Sequence, residues 1–484
     1  MANRSYLICV DEGAIDRSEH IIATYDVEVS ATTSLNKIAE TIAYFPTIGT
    51  WSKIAVETDT LIEDYSGKVL LPLPSEHTKK GTIRIAIPAH NIDPTIGGIP
   101  QLLAILGAPY TLKQIDRIHL VNLDLPQSFI QHLPGPRFGI DGIREAAQIP
   151  EPRPLIATML KPRSGLSSKA YAEEALEALR GGVDIIFDDE LLVAPMSSPL
   201  FERAATLREV VKRAEQDTGQ PKCYAANITS SIRHARDIAL RVQELEVNFL
   251  YLNPVVMGLS ALEALTTDKD IELPILCCRS GYGMLSRGRH GMAYFVFLKL
   301  ARLCGADAIH MGSVGGKLPH AIVGDDSELR SRISWLRARI RRMPKTMPII
   351  SGGIHPGSVA WNMERLGNDL IIQAGSGVLG HPGGPQSGGR AIRVAVEAAL
   401  LDKPMHKAAR ETLELAAAIE KWGYLDSEGI HTLAELWADN NVPSSSIIVN
   451  TQGGSVVFGP VNTQGDFIGR DQKSVANLDQ GEEA

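Results

Sequence analysis

Beyond residue 154, short apolar runs alternate with segments whose apolar residues recur every three or four positions. The first pattern predicts buried strands and the second predicts amphipathic helices. The predicted strands are 155–160, 184–187, 223–227, 249–252, 275–278, 308–311, 347–351 and 370–373. The helical segments include 171–180, 207–217, 232–244, 294–303, 329–341 and 388–400, and two further helical stretches, 405–422 and 431–440, precede the tail. This alternation predicts an α/β fold, a (β/α)8 TIM barrel. A doubly wound open sheet is the weaker alternative, because no GxGxxG follows the first strand.

The N-terminal part has a different pattern, in which strands outnumber helices. The predicted strands are 6–10, 21–29, 51–57, 67–71, 81–87 and 116–121, and the predicted helices are 35–44 and 99–106. This arrangement favours an α+β domain. The sequence therefore predicts an N-terminal α+β domain over residues 1–140, a barrel over 150–440 and a tail over 441–484.

The tail contains a short repeat. Asn-Thr-Gln-Gly occurs at 450–453 and again at 462–465, and β-prone residues follow each copy at 456–458 and 467–468. Two such units cannot bury a core by themselves. We leave two interpretations open: a disordered tail, or a glycine-rich β-repeat tail that binds a partner protein by stacking strands.

Composition excludes several classes of partner. With 44% hydrophobic residues, 21% charged residues and a net charge of −8, the chain is typical of a globular protein and has no basic surplus for nucleic acid or anionic membranes. No apolar run is long enough to span a bilayer, and the N-terminus does not look like a signal sequence. The five cysteines lack metal-ligand spacing, so reduced thiols and a cytoplasmic location are expected.

Polar residues follow the predicted barrel strands, where TIM barrels place their active sites. Asp188, Asp189 and Glu190 form a run of three acids that a cation or a proton must separate. The other strand ends supply cations, amides, hydroxyls and glycines: Lys161, Arg163, Asn227, Arg279, His310, the loop 312–317 with Lys317, Ser351, Gly352, Gly353, Gly375 and Gly377. Such loops bind phosphate through backbone N–H groups and neutralise it with Lys and Arg, so a phosphorylated ligand is predicted.

Several motifs together resemble the RuBisCO large-subunit family. They are LKPRSGL at 160–166, GGVDIIFDDE at 181–190, HMGSVGGKL at 310–318, SGGIHP at 351–356, QAGSGVLGHPGG at 373–384, GTW at 49–51 and PGPRFGIDGIRE at 134–145. The resemblance implies a ferredoxin-like N-terminal domain, a C-terminal barrel and an antiparallel homodimer with the pocket at the subunit interface. It also implies that Thr50 and Trp51 reach the pocket of the neighbouring subunit.

Departures from the family indicate lost carboxylase chemistry. Phe187 replaces the lysine whose carbamate, in carboxylating members, binds Mg²⁺ together with the counterparts of Asp189 and Glu190. We therefore expect no carbamate and at most a weak Mg²⁺ site. Other active-site positions of the family are also replaced: Phe45 for a glutamate, Arg163 for a lysine, and Cys278 and Tyr282 for histidines.

The residues that match the family predict a function. Lys161 matches a proton-transfer lysine and Lys317 the lysine of a mobile loop, while the other strand-end residues match phosphate and hydroxyl contacts. The resemblance implies a form IV RuBisCO-like protein that enolises a small phosphorylated ketose or keto acid as an isomerase, enolase or decarboxylase. In this hypothesis Lys161 removes the proton, and Lys317 with Arg163 stabilises the enolate. The alternative is an inactive homologue that senses a phosphorylated metabolite or acts as a scaffold through its tail.

Overall fold

The structure, a computed structural model, describes residues 8–50, 54–75, 78–315, 326–426, 428–438, 447–451 and 454–458. Its strands, in chain order, are β1 Cys9–Asp11, β2 His20–Val29, β3 Lys68–Leu71, β4 Lys80–Pro88, β5 Ile115–Asp124, β6 Leu155–Met159, β7 Ile185–Phe187, β8 Cys223–Asn227, β9 Phe249–Leu252, β10 Ile275–Cys277, β11 His290–Met292, β12 Ala308–His310, β13 Met347–Ile350, β14 Ile371–Gln373, β15 Tyr424–Leu425, β16 Ile430–His431, β17 Ile447–Thr451 and β18 Gly454–Phe458.

The N-terminal domain is a mixed sheet with the strand order β1-β3-β4-β2-β5-β11. Its helices are Leu35–Tyr44, Asp59–Tyr65, Gly98–Gly107 and Gln127–Ile130. The helix at Leu35 begins where the Ser34 hydroxyl accepts a hydrogen bond from the Lys37 amide, and its apolar face is buried. The predicted α+β character is confirmed.

The predicted barrel is also confirmed. Eight parallel strands close in the order β10-β12-β13-β14-β6-β7-β8-β9. The helices from the barrel onward are Gly139–Ala147, Ser168–Arg180, Leu200–Thr218, Ile232–Glu244, Pro254–Met257, Leu259–Thr267, Gly283–Ser286, Tyr294–Leu303, Ser327–Arg337, Val359–Leu366, Gly375–Leu379, Gly384–Leu400, Met405–Glu411, Leu413–Trp422 and Leu433–Ala438. No described helix is long and apolar enough to cross a membrane.

Several predicted elements differ from the structure. The helix predicted at 329–341 ends at Arg337. Described residues 54–57 of the strand predicted at 51–57 form a turn and irregular backbone, followed by the helix Asp59–Tyr65. The helical stretch predicted at 405–422 is divided at Thr412, whose backbone is extended. The helix predicted at 431–440 begins only at Leu433, because Ile430 and His431 pair with β15.

β11 is one of the strands that the sequence did not predict. β11 leaves the barrel region and pairs in parallel with β5, the edge of the N-terminal sheet. The Tyr110 hydroxyl also donates to the Gly291 carbonyl at 2.5 Å. The segment after β10 therefore ties the barrel to the N-terminal domain.

In the tail, β17 and β18 form an antiparallel hairpin, and the predicted β-prone residues 456–458 lie in β18. The hairpin includes Asn450 and Thr451 of the first repeat copy. The second copy lies outside the described residues. The domain boundaries at 140, 150 and 440 stay predictions.

Candidate active site at the carboxyl end of the barrel

The site lies where the inward-facing side chains of the barrel change from apolar to polar. Tyr251 and Cys278 lie in the buried cluster that fills the barrel interior. Because strand side chains alternate, His310, Ser351 and Gln373 continue the inward-facing rows of their strands. All five line a cavity of about 780 Å³ at the carboxyl ends of the strands.

The floor of this cavity has a hydrogen-bonded chain of neutral groups. The Tyr251 hydroxyl is 3.1 Å from Nε2 of His310, and Nδ1 of His310 is 2.8 Å from the Ser351 hydroxyl. Burial, together with the charge of Arg279, lowers the pKa of His310 to about 3. The imidazole is therefore neutral near pH 7 and positions the Ser351 hydroxyl without adding charge.

Arg279 supplies positive charge beside this floor. The side chain is largely buried, and burial lowers the pKa of its guanidinium. Its Nη2 has no hydrogen-bond partner among the described residues. A largely buried cation that lines a cavity and has a donor without a protein partner is suited to an anionic ligand.

Glycine loops after β13 and β14 form another part of the cavity wall. Gly352 and Gly353, which follow β13, have φ values of +95° and +98°, a backbone conformation that residues other than glycine rarely adopt. Gly375 and Gly377 begin the short helix after β14. A Cβ on Gly377 would lie 2.4 Å from the Ile354 carbonyl oxygen, so only glycine lets the two loops approach this closely. All four glycines line the cavity.

The first carboxylate of the acidic run, Asp188, points away from the cavity. It accepts from Nε and Nη2 of the buried Arg203 at 2.9 and 3.0 Å, from the Tyr224 hydroxyl at 2.9 Å and from the Asn227 amide at 2.9 Å. Its position between inward-facing strand residues predicts this orientation. Asp188 therefore anchors the loop and takes no ligand.

The second carboxylate, Asp189, is buried and forms ion pairs with two cavity residues. Lys161 Nζ binds Oδ2, and Arg163 Nε lies 3.3 Å from Oδ1. Oδ1 also accepts from the Leu191 amide at 3.0 Å. Glu190 lines the cavity, and burial together with the neighbouring charge of Asp189 raises its pKa.

These residues do not fit a three-oxygen magnesium site. Phe187 is fully buried, and its ring stands edge-on to Tyr251 at 5.1 Å between centroids. It offers no oxygen, while both oxygens of Asp189 are bound by protein donors. Within the part of the chain that the structure describes, no group of three His, Cys, Asp or Glu side chains could hold a metal ion.

Most predicted site residues converge on the cavity, but some do not. Its lining contains Lys161, Arg163, Glu190, Arg279, His310, Ser351, Gly352, Gly353, Gly375 and Gly377. Asn227 does not line it, because its side-chain amide donates to the Asp189 carbonyl at 3.0 Å and accepts from the Thr229 amide at 3.0 Å. Thr50 is exposed and outside the lining. Trp51 and Lys317 lie outside the described residues.

Sequence reasoning missed several lining residues. Tyr251 is the third residue of β9 and Gln373 is the last residue of β14, and neither was selected from the sequence. The alternation of inward and outward residues would have identified both. Arg117 and His119, on β5, could not be found this way, because their place at the cavity depends on how the two domains pack.

Comparison with known proteins gives the same assignment for both domains. Residues 142–422 match the family model of the ribulose bisphosphate carboxylase large chain, catalytic domain. Residues 9–129 match that of the large chain, N-terminal domain.

Two relatives extend the likeness along the chain. A ribulose bisphosphate carboxylase from Methanocaldococcus jannaschii is 33% identical over 404 residues, 80% of this chain and 94% of that protein. A 2,3-diketo-5-methylthiopentyl-1-phosphate enolase from Exiguobacterium sibiricum is 34% identical over 407 residues, 84% of this chain and 99% of that protein.

Solved structures have the same fold. The dimeric archaeal Rubisco of Hyperthermus butylicus superposes with a TM-score of 0.78 at 30% identity, covering 87% of this chain and 100% of that one. A rubisco-like protein (MtnW) from Alicyclobacillus acidocaldarius gives 0.73 at 30% identity, covering 84% and 100%. The chain therefore belongs to the ribulose bisphosphate carboxylase large-chain family.

Proposed function

We propose that this chain is a form IV RuBisCO-like protein, without the lysine carbamate and without CO₂ fixation, that enolises a small phosphorylated ketose or keto acid. The reaction removes a proton from the carbon beside a carbonyl and places negative charge on the carbonyl oxygen. Isomerase, enolase and decarboxylase activities all share this step. The enolase among the relatives, at 34% identity, supports it.

The observation that carries the proposal is which groups bind the carboxylate of Asp189. In the family's carboxylating members the resemblance assigns this carboxylate to Mg²⁺. Here Lys161 and Arg163 bind it, and the third ligand position holds the buried Phe187. Two cationic side chains thus bind the carboxylate that the resemblance assigns to a divalent cation, which supports enolisation without a required metal. We keep Mg²⁺ at Asp189 and Glu190 as a weak site only.

The anion-binding part of the site supports a phosphorylated substrate. Arg279 has an open donor, and the glycine loops after β13 and β14 expose backbone N–H groups. The Ser351 hydroxyl, hydrogen-bonded to the neutral His310, is a further polar group for the substrate. These groups fix the substrate so that its carbonyl lies above the polar floor.

Lys161 is the proposed proton-transfer residue. Its side chain is 32% exposed and lines the cavity, so protons can pass between it and solvent. Because the ion pair with Asp189 uses the ammonium form, Lys161 accepts the substrate proton only after it releases its own. Arg163, always charged, stabilises the enolate oxygen, with Lys317 as the second cation in the proposal.

A homodimer completes the proposed site. The segments that follow β7, β9 and β10 at the carboxyl end of the barrel expose large apolar side chains: Leu191, Met196, Val256, Met284 and Leu285. Exposed apolar side chains in neighbouring segments are a common feature of interfaces. Thr50 lies outside the cavity of its own chain, as expected if it serves the partner's. A dimeric family structure supports the same assembly.

The ion pair on Asp189 also favours a second candidate, an inactive homologue. If Lys161 never releases its proton, the cavity binds a phosphorylated metabolite without turnover, and the chain acts as a sensor or scaffold. In that case we propose that the C-terminal tail binds the partner protein.

Replacing Lys161 with Met tests the proposal. We expect loss of deuterium uptake from D₂O by a phosphorylated ketose, followed by NMR, with ligand affinity kept within about threefold. Lys169→Met, at an exposed lysine of the next helix, serves as the control and should exchange normally. Undiminished exchange in Lys161→Met would refute the assignment.

A further inference from the structure

The tail hairpin, residues 447–458, has two outer edges that pair with no described strand. β17 and β18 pair in antiparallel register from Ile447 and Phe458 to Thr451 and Gly454, and they form a two-stranded sheet of their own. About half of the backbone N–H and C=O groups of each strand point away from the other strand. The hairpin therefore presents two rows of hydrogen-bonding groups to which a further strand can be added.

These edges differ from the other open edges of the described sheets. β1 and β11, at the two sides of the N-terminal sheet, have three residues each, and β15 and β16 have two each. Very short edge strands are one way in which proteins avoid edge-to-edge pairing. β17 and β18 have five residues each in continuous register, and their sequences contain no proline and no charged residue. The tail hairpin thus lacks the features that protect an edge.

The sequence around the hairpin favours strand pairing. No charged residue occurs between Asp439 and Asp466, although 21% of the whole chain is charged. Six of the ten strand residues are Ile, Val or Phe, which are enriched in strands. An isolated two-stranded hairpin is marginally stable at best in water, and additional strands are needed for independent stability. The tail hairpin therefore requires further strands.

The repeat in the tail points to another copy of the same unit as their source. The hairpin occupies twelve residues, 447–458, and the Asn-Thr-Gln-Gly motif recurs after twelve residues, from Asn450 to Asn462. One repeat is thus as long as one hairpin. Asn450 and Thr451 of the first motif are the last two residues of β17. Units of constant length that carry the same motif at the same position can stack on copies of themselves in one register.

The composition of the hairpin suits pairing with an identical copy. When identical strands pair in register, each residue lies beside its own copy, so charged strands repel one another and uncharged strands do not. Asn450 would lie beside Asn450 of the next chain, and asparagine amides in this arrangement form hydrogen-bonded ladders. An unrelated partner needs neither the repeat nor the absence of charge.

We propose that the tail hairpin is a self-association surface, which pairs edge to edge with the hairpins of other copies of this chain and forms a continuous β-sheet. The contacts are backbone hydrogen bonds, and a second copy of the chain is the partner of the tail. The sheet links the folded domains of several chains. This association does not depend on the reaction in the cavity, so the failure of one proposal leaves the other intact.

Concentration-dependent assembly of the full-length protein tests this inference. Over about a hundredfold range of concentration, sedimentation should show the average mass rising at least about twofold above that of the species at the dilute end, by mass action. At the low concentration of a chromatography column, the proposed dimer is the expected species. Hydrogen exchange followed by mass spectrometry should show the amides of 447–458 exchanging about tenfold more slowly at the concentrated end.

The double variant with Val449→Lys and Val457→Lys should abolish both changes. These positions are not paired with each other in the hairpin, but stacking in register places each lysine beside the same lysine of the next chain. The control is Leu400→Lys with Leu401→Lys, which makes the same change of charge at two exposed leucines and should assemble like the wild type. Thermal unfolding of both variants checks that the two domains remain folded.

The other outcomes each contradict the inference. Slow exchange of 447–458 at every concentration, with a constant mass, would show that the hairpin pairs within its own chain. Fast exchange and a constant mass would show that the edges stay unpaired. Assembly of the Val449→Lys and Val457→Lys variant to the same mass as the wild type would place the association elsewhere on the molecule.

Discussion

Asp188 and Asp189 are adjacent in the chain but have different partners. Asp188 is enclosed by four donors, among them the guanidinium of Arg203, which is itself fully buried. Asp189 is bound by cations that also line the cavity. Strand alternation produces this division, because neighbouring residues face opposite sides of the barrel wall.

Asp188→Asn should be strongly destabilising. Removing one charge of a buried pair leaves Arg203 uncompensated, which costs about 3–5 kcal/mol. The control is Asp217→Asn, whose partner Arg180 lies at the surface, and it should cost about 1 kcal/mol or less. Urea unfolding of both variants measures the difference. Equal losses of stability would contradict the anchoring role of Asp188.

Lys222 gives the protein a pH dependence with a defined sign. It lies buried before β8 and donates to the Val183 carbonyl at 2.9 Å, and burial lowers its pKa to about 8. In the unfolded chain a lysine titrates near about 10.4, so unfolding binds a proton between these values. Stability should therefore gain a contribution as the pH rises from about 8 to about 10.

Lys222→Met should remove this contribution. Thermal midpoints measured from pH 7 to pH 10 should show the variant more stable than wild type at pH 7, with the difference shrinking as the pH rises. The exposed Lys169→Met should follow the wild-type curve. Parallel curves for wild type and Lys222→Met would show that the lysine keeps its ordinary pKa in the fold.

At the scale of elements, the loops after β13 and β14 act as one unit. Gly377→Ala should push the helix Gly375–Leu379 away from the Ile354 carbonyl, because the added Cβ would lie 2.4 Å from that oxygen. We expect inorganic phosphate to bind about tenfold more weakly, by calorimetry. Gly107→Ala is the control, since its Cβ meets nothing within 4 Å. Unchanged phosphate affinity in Gly377→Ala would separate this loop pair from anion binding.

The elements that the sequence predicted well are those whose pattern of apolar residues is contained within one segment of the chain. The eight barrel strands and the helices Ile232–Glu244 and Tyr294–Leu303 follow from apolar periodicity within one segment, and the structure places each within one or two residues of the strand or helix boundary given for it. The same periodicity located Lys161, Arg279 and His310 at one cavity. Motif resemblance added the family, and Phe187 indicated the altered chemistry.

The elements that were missed depend on distant partners. β11 has three residues, one of them Gly291, and becomes a strand only because the edge of the N-terminal sheet is available to it. Residues 54–56 have apolar side chains but pair with no described strand. Gln373 was predicted as strand, yet the lack of a hydrogen-bond partner for its side-chain amide among the described residues is visible only when the neighbouring side chains are in place.

At the scale of the whole molecule, the exposed apolar side chains that follow the barrel strands are the proposed dimer surface. Met196 and Met284 are 98% and 76% exposed in the segments after β7 and β10. Light scattering coupled to size-exclusion chromatography should give a dimer for the wild-type protein. The double variant with Met196→Glu and Met284→Glu should be largely monomeric, because two buried carboxylates disfavour the interface.

The control for this prediction lies elsewhere on the surface. Leu401 is 76% exposed just after the helix Gly384–Leu400, away from the cavity, so Leu401→Glu should leave the dimer intact. A monomeric wild-type protein, or dimers that survive the double substitution unchanged, would show that this face is not the interface.

The most direct test of the central claim is deuterium incorporation into phosphorylated ketoses and keto acids by the wild-type protein. It would be followed by NMR in D₂O, with EDTA in one arm and with Mg²⁺ and bicarbonate in the other. Because Lys161 and Arg163 bind Asp189 and Phe187 replaces the third ligand, we predict exchange beside the carbonyl at the same rate in both arms. Exchange or carboxylation that requires Mg²⁺ and bicarbonate would contradict the account. Binding without exchange in either arm would leave the inactive homologue as the function.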